Sequence, residues 1–370
     1  MKQFLILGRN PALSRAEILS YLEAQKIIAK EILYERNTLI LELKEKLDIQ
    51  HLGGTIKSGE IIFEKQKELE EFLKKNELVQ ADKFTYAFYG THTDEDRAII
   101  QDKFKQERKK AMLKHGRKNI RFQNKDTSTL PDADFSFFLH RPKGSRDELY
   151  FGKITDEYDY TGVKNRDMKK PERREALSIS PRLSKILINL SQAKSGQLLL
   201  DPFCGIGGVL IEAIVRDINV YGVDRDKKAV HQAKQNLRWL EKNYKINASW
   251  RVLNEDSRKL PNIKVDAIAT ETPLTPSGEP LRKKPSNAEA QKMMKNFEKM
   301  IIPILKKIKE AKNPGAKIAI TFPRIREFTP DLSIVNNETG LNLYKLRGRT
   351  VQIEESRPGQ FISREVLVFE

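Results

Sequence analysis

The sequence predicts an α/β protein whose C-terminal half folds as a doubly wound parallel sheet, preceded by an α+β half of different character. Three observations predict it. After about residue 177, short apolar strand-like runs alternate with amphipathic helical runs, the pattern of a parallel sheet joined by helical crossovers. One of those strands ends in an acid and opens into a turn of small residues and a helix start, Leu200-Asp201-Pro202-Phe203-Cys204-Gly205-Ile206-Gly207-Gly208. The residues before 164 mix strands and charged helices less regularly and hold the densest basic run of the chain.

The N-terminal elements follow in order. Phe4-Leu5-Ile6-Leu7 reads as a strand that Asn10-Pro11 breaks, and Leu13 to Leu22 has helical apolar spacing, with Ser14 and Glu17 as a capping box. Thr38 to Leu43 is a second strand, Gly53-Gly54 a turn, and Gly59 to Phe63 a third strand. A charged helix around Lys67 to Lys75 precedes a strand from Lys83 to Tyr89. From Lys103 to Arg121 there are nine Lys or Arg against one acid, Glu107. Ile100, Phe104, Ala111 and Met112 are expected to share one helical face there, leaving the cations on the other. The reading favours a phosphate-contacting surface carried by Lys109, Lys110, Lys114, Arg117, Lys118 and Arg121, with a solvated face as the alternative. A second basic run, Lys164 to Arg174, has no apolar period, and Pro171 discourages helix, so it reads as a linker.

Beyond it, Leu183 to Leu190 reads as a helix, Gln197 to Asp201 as a buried strand and Gly207 to Val215 as a helix. Asn219 to Asp224 is the next strand, followed by a helix from about Lys227 to Lys242. The alternation continues through a strand at Val265 to Ala269, a long helix from Asn287 to Lys312 and a strand at Lys317 to Phe322. Two extended runs, Tyr344 to Ile353 and Arg364 to Phe369, close the chain as an antiparallel hairpin around Gly359.

Composition narrows the function. At 370 residues the chain is too long for one ordinary core, and 39% hydrophobic with 32% charged residues suits a folded protein. Lys and Arg number 68 against 51 Asp and Glu, net +17, which points to a polyanionic partner because cations on phosphates release counterions. Solubility charge and membrane-surface binding are the plainer readings. No run approaches the ~20 apolar residues of a bilayer span, and the apolar start is too short for a secretory signal. Cys204 is the sole cysteine and the five histidines are scattered, so no internal disulfide or metal site is expected and a cytoplasmic setting is.

The glycine turn after Asp201 lets backbone approach a ligand closely. Leu210 stands where a dinucleotide fingerprint needs its last glycine, and no Gly-Lys-Ser or Gly-Lys-Thr marks a P-loop, which leaves a nucleoside ligand without pyrophosphate. Asp224, at the end of the next strand, can accept from both ribose hydroxyls, and Asp256 from an adenine amino group. Strand-end acids also serve as helix N-caps. Together with the turn, however, these three place a ligand at the carboxyl edge of the sheet.

The stretch Asp201 to Gly208 resembles the S-adenosylmethionine loop of class I methyltransferases, and most closely that of the THUMP-domain tRNA guanosine N2-methyltransferases that modify position ten of tRNA. Leu177-Ser178-Ile179-Ser180-Pro181-Arg182-Leu183-Ser184 is similar to that family's helix entry before the loop. Arg9-Asn10-Pro11, Leu13-Ser14 and Ala16-Glu17-Ile18 resemble its opening, and Leu52-Gly53-Gly54-Thr55-Ile56-Lys57 matches too. The resemblance implies a ferredoxin-like segment over 1–60, a THUMP-like RNA-binding domain over 61–163, a basic linker over 164–176 and a Rossmann-like methyltransferase domain over 177–370. It implies S-adenosylmethionine held by Asp201, Phe203, Gly205, Gly207, Asp224 and Asp256, tRNA as the substrate partner, and the small activating partner protein of the eukaryotic relatives.

The acceptor motif departs from the family, whose fourth strand is followed by Asp or Asn, two prolines and Tyr. Here the segment is Thr270-Glu271-Thr272-Pro273-Leu274. An exocyclic amine is delocalised and a poor nucleophile, so a carboxylate and a rigid carbonyl must hold it while an aromatic stacks the base. Glu271 replaces the acid and Thr272 and Pro273 keep the backbone acceptor, but Leu274 cannot stack. The expected activity is methyl transfer to guanosine N2. The alternatives are an N6-adenine or DNA amino-methyltransferase, and a catalytically silent RNA-binding protein. C5 methylation is disfavoured because Cys204, its required thiolate, lies in the cofactor turn.

Overall fold

The computed structural model describes residues 1–115, 133–174, 179–275, 281, 283–356 and 360–370, with the backbone alone of 118–122 and 125–128. In chain order the first elements are β1 (Lys2–Leu7), α1 (Pro11–Ala24), β2 (Ala29–Glu35), β3 (Thr38–Leu43), β4 (Thr55–Lys65), α2 (Gln66–Lys75), β5 (Lys83–Tyr89), α3 (Asp94–Gln106), β6 (Lys110–Leu113), β7 (Lys118–Phe122), β8 (Lys125–Ser128), β9 (Phe135–His140) and β10 (Glu148–Glu157). They are followed by α4 (Tyr160–Lys169), α5 (Pro181–Leu190), β11 (Leu198–Asp201), α6 (Gly208–Ile214), β12 (Asn219–Asp224), α7 (Lys227–Asn243), β13 (Trp250–Asn254), β14 (Ala267–Glu271), α8 (Asn287–Ala311), β15 (Ile318–Arg324), α9 (Leu332–Thr339), β16 (Lys345–Leu346), β17 (Arg349–Thr350), β18 (Gln352–Glu355) and β19 (Ser363–Phe369).

The chain divides into two compact units: Met1–Pro11, Ile28–Gln50 and Thr55–Tyr158 form one, and Ala12–Ile27, His51–Gly54 and Asp159–Glu370 the other. Most of 1–60 and of 61–163 thus lies in one unit, while α1 clusters with the C-terminal half.

In the first unit, eight strands run in the order β2-β3-β1-β4-β10-β9-β5-β6. Leu69 and Leu73 of α2 and Ile100 and Phe104 of α3 pack with Phe84, Phe137 and Phe151 in an aromatic-rich core. The helix expected to carry Ala111 and Met112 stops at Gln106. Arg108 takes a left-handed φ of 56°, and Lys110–Leu113 then pairs in parallel with β5, leaving Met112 exposed. The helical period there is a coincidence of spacing that strand pairing overrides.

The second unit holds a seven-stranded sheet in the order β13-β12-β11-β14-β15-β19-β18, parallel through its first five strands and antiparallel at β19 and β18. This bears out the doubly wound sheet. Of the C-terminal hairpin, β18 pairs antiparallel with β19, but the run from Tyr344 to Ile353 is not one strand: β16 and β17 pair with each other across Arg347 and Gly348, both at positive φ, and Gly359 lies outside the described residues. Phe297, Ile301, Ile304, Leu305 and Ile308 of α8 bury one helical stripe against Ile268, Ile318, Ile320, Phe322 and Leu367 of the sheet. Ser180 caps α5 by accepting from Leu183 N–H, with Pro181 in the first turn, where a missing N–H costs nothing. The first part of the run read as an irregular linker, from Lys164, belongs to a helix spanning Tyr160–Lys169, with the Asp159 carboxylate accepting from Gly162 N–H. That helix stops before Pro171, and Lys170 adopts the extended conformation a following proline imposes.

Ser14 and Glu17 do not form a capping box. The helix begins at Pro11, so both residues lie inside it and are buried. Glu17 instead accepts from the N–H groups of Gly53 and Gly54 at 2.6 and 2.7 Å and from Asn189 Nδ2 at 2.7 Å, while Ser14 Oγ donates to Gly54 O. Among the described residues no helix is long and apolar enough to cross a membrane.

Candidate active site at the carboxyl edge of the parallel sheet

The strand order reverses direction between β11 and β14, and ligands of open α/β sheets bind outside the strand ends at such a point. A cavity of ≈ 580 Å³ lies there, a volume typical of small-molecule sites. It is bordered by Asp201, Phe203 and Gly205 of the first turn, by Asp224 and Asp256 after the next two strands, and by Glu271, Thr272 and Pro273 after β14. Eight of the nine residues expected at the cofactor and acceptor sites therefore meet in one space. Gly207 does not border it. Its φ of +88° caps the N-terminus of α6, a left-handed conformation that glycine adopts without steric cost, so its contribution is the shape of the turn.

The turn is pinned from several sides. Gly205 N–H donates to Asp224 Oδ2 at 2.8 Å, Gly207 N–H to Cys204 O at 2.8 Å, and the fully buried Asn236 of α7 donates from Nδ2 to Ile206 O at 2.9 Å. Asp224 Oδ1 also accepts from Asp226 N–H at 2.9 Å. A side chain at Gly205, where φ is +52°, would meet open space, so the backbone conformation is what selects glycine there. Cys204 is buried, and burial together with Asp201 and Asp224 pushes its thiol well up, the opposite of an activated nucleophile.

Asp201 is 2% exposed. Burial, reinforced by Asp224 and Glu271, raises its carboxyl to about 7, against the hydrogen bonds it accepts from Thr270 Oγ1 at 2.5 Å and Phe203 N–H at 3.1 Å. A cation arriving beside it relieves that penalty. Asp256 is already engaged: it accepts from Arg258 N–H at 2.9 Å and holds the guanidinium, Nη2 to Oδ2, at 2.5 Å. The Arg258 hydrogen bonds pull its carboxyl down to about 2.

At the acceptor end, Thr272 is buried and its Oγ1 donates to Thr321 O at 2.6 Å, which fixes the strand exit. Glu271 Oε1 accepts from Arg364 Nε of β19. Sequence reasoning missed Arg364, Phe361, Asn236 and Thr270. The first two also border the cavity, yet they lie far along the chain from the acceptor motif and carry no motif of their own.

The basic surface is only partly as expected. Lys109 is 4% exposed at its side chain and pairs with Glu77 at 3.1 Å, so it is not a free phosphate contact. Lys110 is exposed and Lys114 half-buried, and neither is in an ion pair among the described residues. Arg117 and the side chains of Lys118 and Arg121 lie outside the described residues.

Residues 171–308 match the family described as "UPF0020: RMKL-like, methyltransferase domain". The chain is 34% identical over 152 residues to a tRNA (guanine(10)-N2)-dimethyltransferase of Methanothermobacter thermautotrophicus, covering 40% of this chain and 43% of that one. It is 34% identical over 115 residues to the Pyrococcus abyssi protein of the same name, covering 29% and 32%. The matches thus span less than half the length of these curated relatives. The crystal structure of TrmN from Thermus thermophilus superposes with a TM-score of 0.55 at 16% identity, covering 100% of this chain and 99% of that one. The chain therefore has the fold of a class I methyltransferase in its C-terminal unit, and over part of its length it is similar to tRNA (guanine(10)-N2)-dimethyltransferases.

Proposed function

We propose that this protein transfers a methyl group from S-adenosylmethionine to the exocyclic N2 of a guanosine in tRNA, at position ten. The observation that carries the reading is that the strand-end acids and glycine turn border the same cavity as the Glu271-Thr272-Pro273 acceptor segment. The names of the relatives support the substrate.

The cofactor fits the donor set. It brings a sulfonium and an ammonium, and the cavity offers Asp201, whose charge burial and neighbouring acids suppress in the absence of a cation. Asp201 takes the ammonium, Asp224 the ribose hydroxyls and Asp256 the adenine amino group, with Phe203 and Gly205 bordering the bound molecule and Gly207 shaping the turn. When bound, the cofactor supplies an electrophilic methyl carbon. Glu271 and the Thr272 carbonyl accept from the guanine amine, orient its lone pair, and leave Glu271 placed to receive the proton that the nitrogen sheds.

The same reading makes residues 1–60 a ferredoxin-like segment and 61–163 a THUMP-like RNA-binding domain that grips tRNA by shape and phosphate in the cytoplasm, with Lys110 and Lys114 among its contacts. The test is to incubate the protein with tritiated S-adenosylmethionine and unmodified tRNA, then digest to nucleosides. Label in N2-methylguanosine supports the reading. Label in another nucleoside, or none while the cofactor binds, overturns it.

A further inference from the structure

Leu274 occupies the place where an aromatic ring would stack a base, yet the cavity is bordered by an aromatic from elsewhere. Phe361, between β18 and β19, is 41% exposed, unusual for a large apolar ring, and borders the same space as Glu271. Three residues on, Arg364 is buried at 4% exposure and also borders it. Its strand β19 pairs with β15, which in turn pairs with β14, so the side chain spans one strand to bring Nε to Glu271 Oε1. Its Nη1 approaches Gln360 Oε1 at 3.5 Å. The described contacts use two of the five N–H donors of a guanidinium, and Glu271 Oε2 has no hydrogen bond among the described residues. A buried cation and a half-buried anion, each with capacity left over, face a space that an exposed ring also borders.

We propose that Phe361, Arg364 and Glu271 form a guanine-reading face. Phe361 stacks on the base plane, Glu271 accepts from N1–H and N2–H, and Arg364 donates to O6. This rests on the reading that a guanine amine is the acceptor, and adds how that base is chosen. Adenine presents an amino donor where Arg364 also donates, and a bare ring nitrogen where Glu271 needs a hydrogen. Each mismatch leaves a desolvated polar group unpaired, the costly case. Arg364 is thus a specificity residue that also positions the Glu271 carboxylate.

The test is calorimetric titration of the full chain, its cofactor site saturated with S-adenosylhomocysteine. The probes are guanosine 5′-monophosphate, adenosine 5′-monophosphate and the monophosphate of 2-aminopurine riboside, which keeps the 2-amino group but lacks O6 and N1–H. The wild type is expected to prefer the guanine nucleotide over both by at least ~10-fold. Arg364→Met reduces that preference several-fold. The double variant Glu271→Gln with Arg364→Met, which buries no unpaired charge, brings it to about 1. Phe361→Ala weakens all three nucleotides alike. A wild-type preference near 1, or one unchanged in folded variants, overturns the proposal. If the wild type makes no N2-methylguanosine but prefers guanine through Arg364, the enzymatic reading fails and the guanine face stands. N2-methylguanosine formation with an unaltered guanine preference in Arg364→Met sinks the guanine face alone.

Discussion

Thr270 Oγ1 donates a 2.5 Å hydrogen bond to Asp201 Oδ1, joining the ends of β14 and β11 at the point where the sheet order reverses. That bond and the one from Phe203 N–H favour the charged carboxylate, but burial outweighs them and its carboxyl stands at about 7 against an ordinary 3.8. The folded value lies above the unfolded one, so the charged form is what folding penalises. Stability is fully present below about pH 3.8, declines as pH rises through the folded value, and is level above it, a loss on the order of 4 kcal/mol. Asp201→Asn keeps the oxygen that Thr270 needs and removes the charge. Its unfolding midpoint is expected above that of the wild type at pH 8 and close to it at pH 4, while S-adenosylhomocysteine affinity falls. Urea titrations across that range check the sign, and a variant less stable than wild type at pH 8 contradicts it.

Asp224 holds the turn and borders the cavity. Its two carboxylate oxygens hold Gly205 N–H and Asp226 N–H at 2.8 and 2.9 Å and still border the cavity. Asp224→Ala leaves two backbone donors unpaired and is expected to cost about 1–3 kcal/mol of stability. It should also weaken S-adenosylhomocysteine by roughly 100-fold or more through loss of the ribose contacts. Calorimetry on the folded variant decides, since an unchanged Kd means that no ribose sits on this residue.

Part of this architecture is legible in the sequence because its signals are local. Asp201 and Asp224 each end a short apolar run, and the glycines of the first turn follow at once, so strand, acid and helix start can be read from adjacent residues. Where neighbours in space decide, local reading fails. Ser14 and Glu17 have capping-box spacing, but their partners are Gly53, Gly54 and Asn189. The helical period at Ala111 and Met112 yields to pairing with β5. Arg364 lies 93 residues beyond Glu271, and only the sheet order brings the two together.

The Glu17 carboxylate is fully buried and accepts three hydrogen bonds, from Gly53 N–H, Gly54 N–H and Asn189 Nδ2. It ties α1 to the loop at 51–54 and to α5, all within the second unit. Burial raises its carboxyl, opposed by those same bonds and by Arg182. Glu17→Ala strands three donors in a dry site and is expected to cost about 3–5 kcal/mol. Glu17→Gln should cost less, because one carbonyl oxygen still accepts while its amide group faces a backbone donor. Denaturant unfolding measures both, and an alanine variant within 1 kcal/mol of wild type would show that water replaces the carboxylate.

Lys109 and Lys110 are adjacent in sequence but differ in what they do. Lys109 is buried at its side chain against Glu77, whereas Lys110 points its charge to solvent from β6 and Lys114 follows at the end of the same strand. If the basic segment contacts tRNA phosphates, only the latter two release counterions on binding. The double variant Lys110→Ala with Lys114→Ala is therefore expected to keep its melting temperature, bind tRNA more weakly and lose roughly 1–2 from the slope of log K against log salt concentration. Lys109→Ala is expected to do the reverse, losing packing and an ion pair while leaving the salt slope within error. Filter binding at four or more salt concentrations, beside thermal melts, separates the two. An unchanged slope in the double variant would move the phosphate contacts away from this strand.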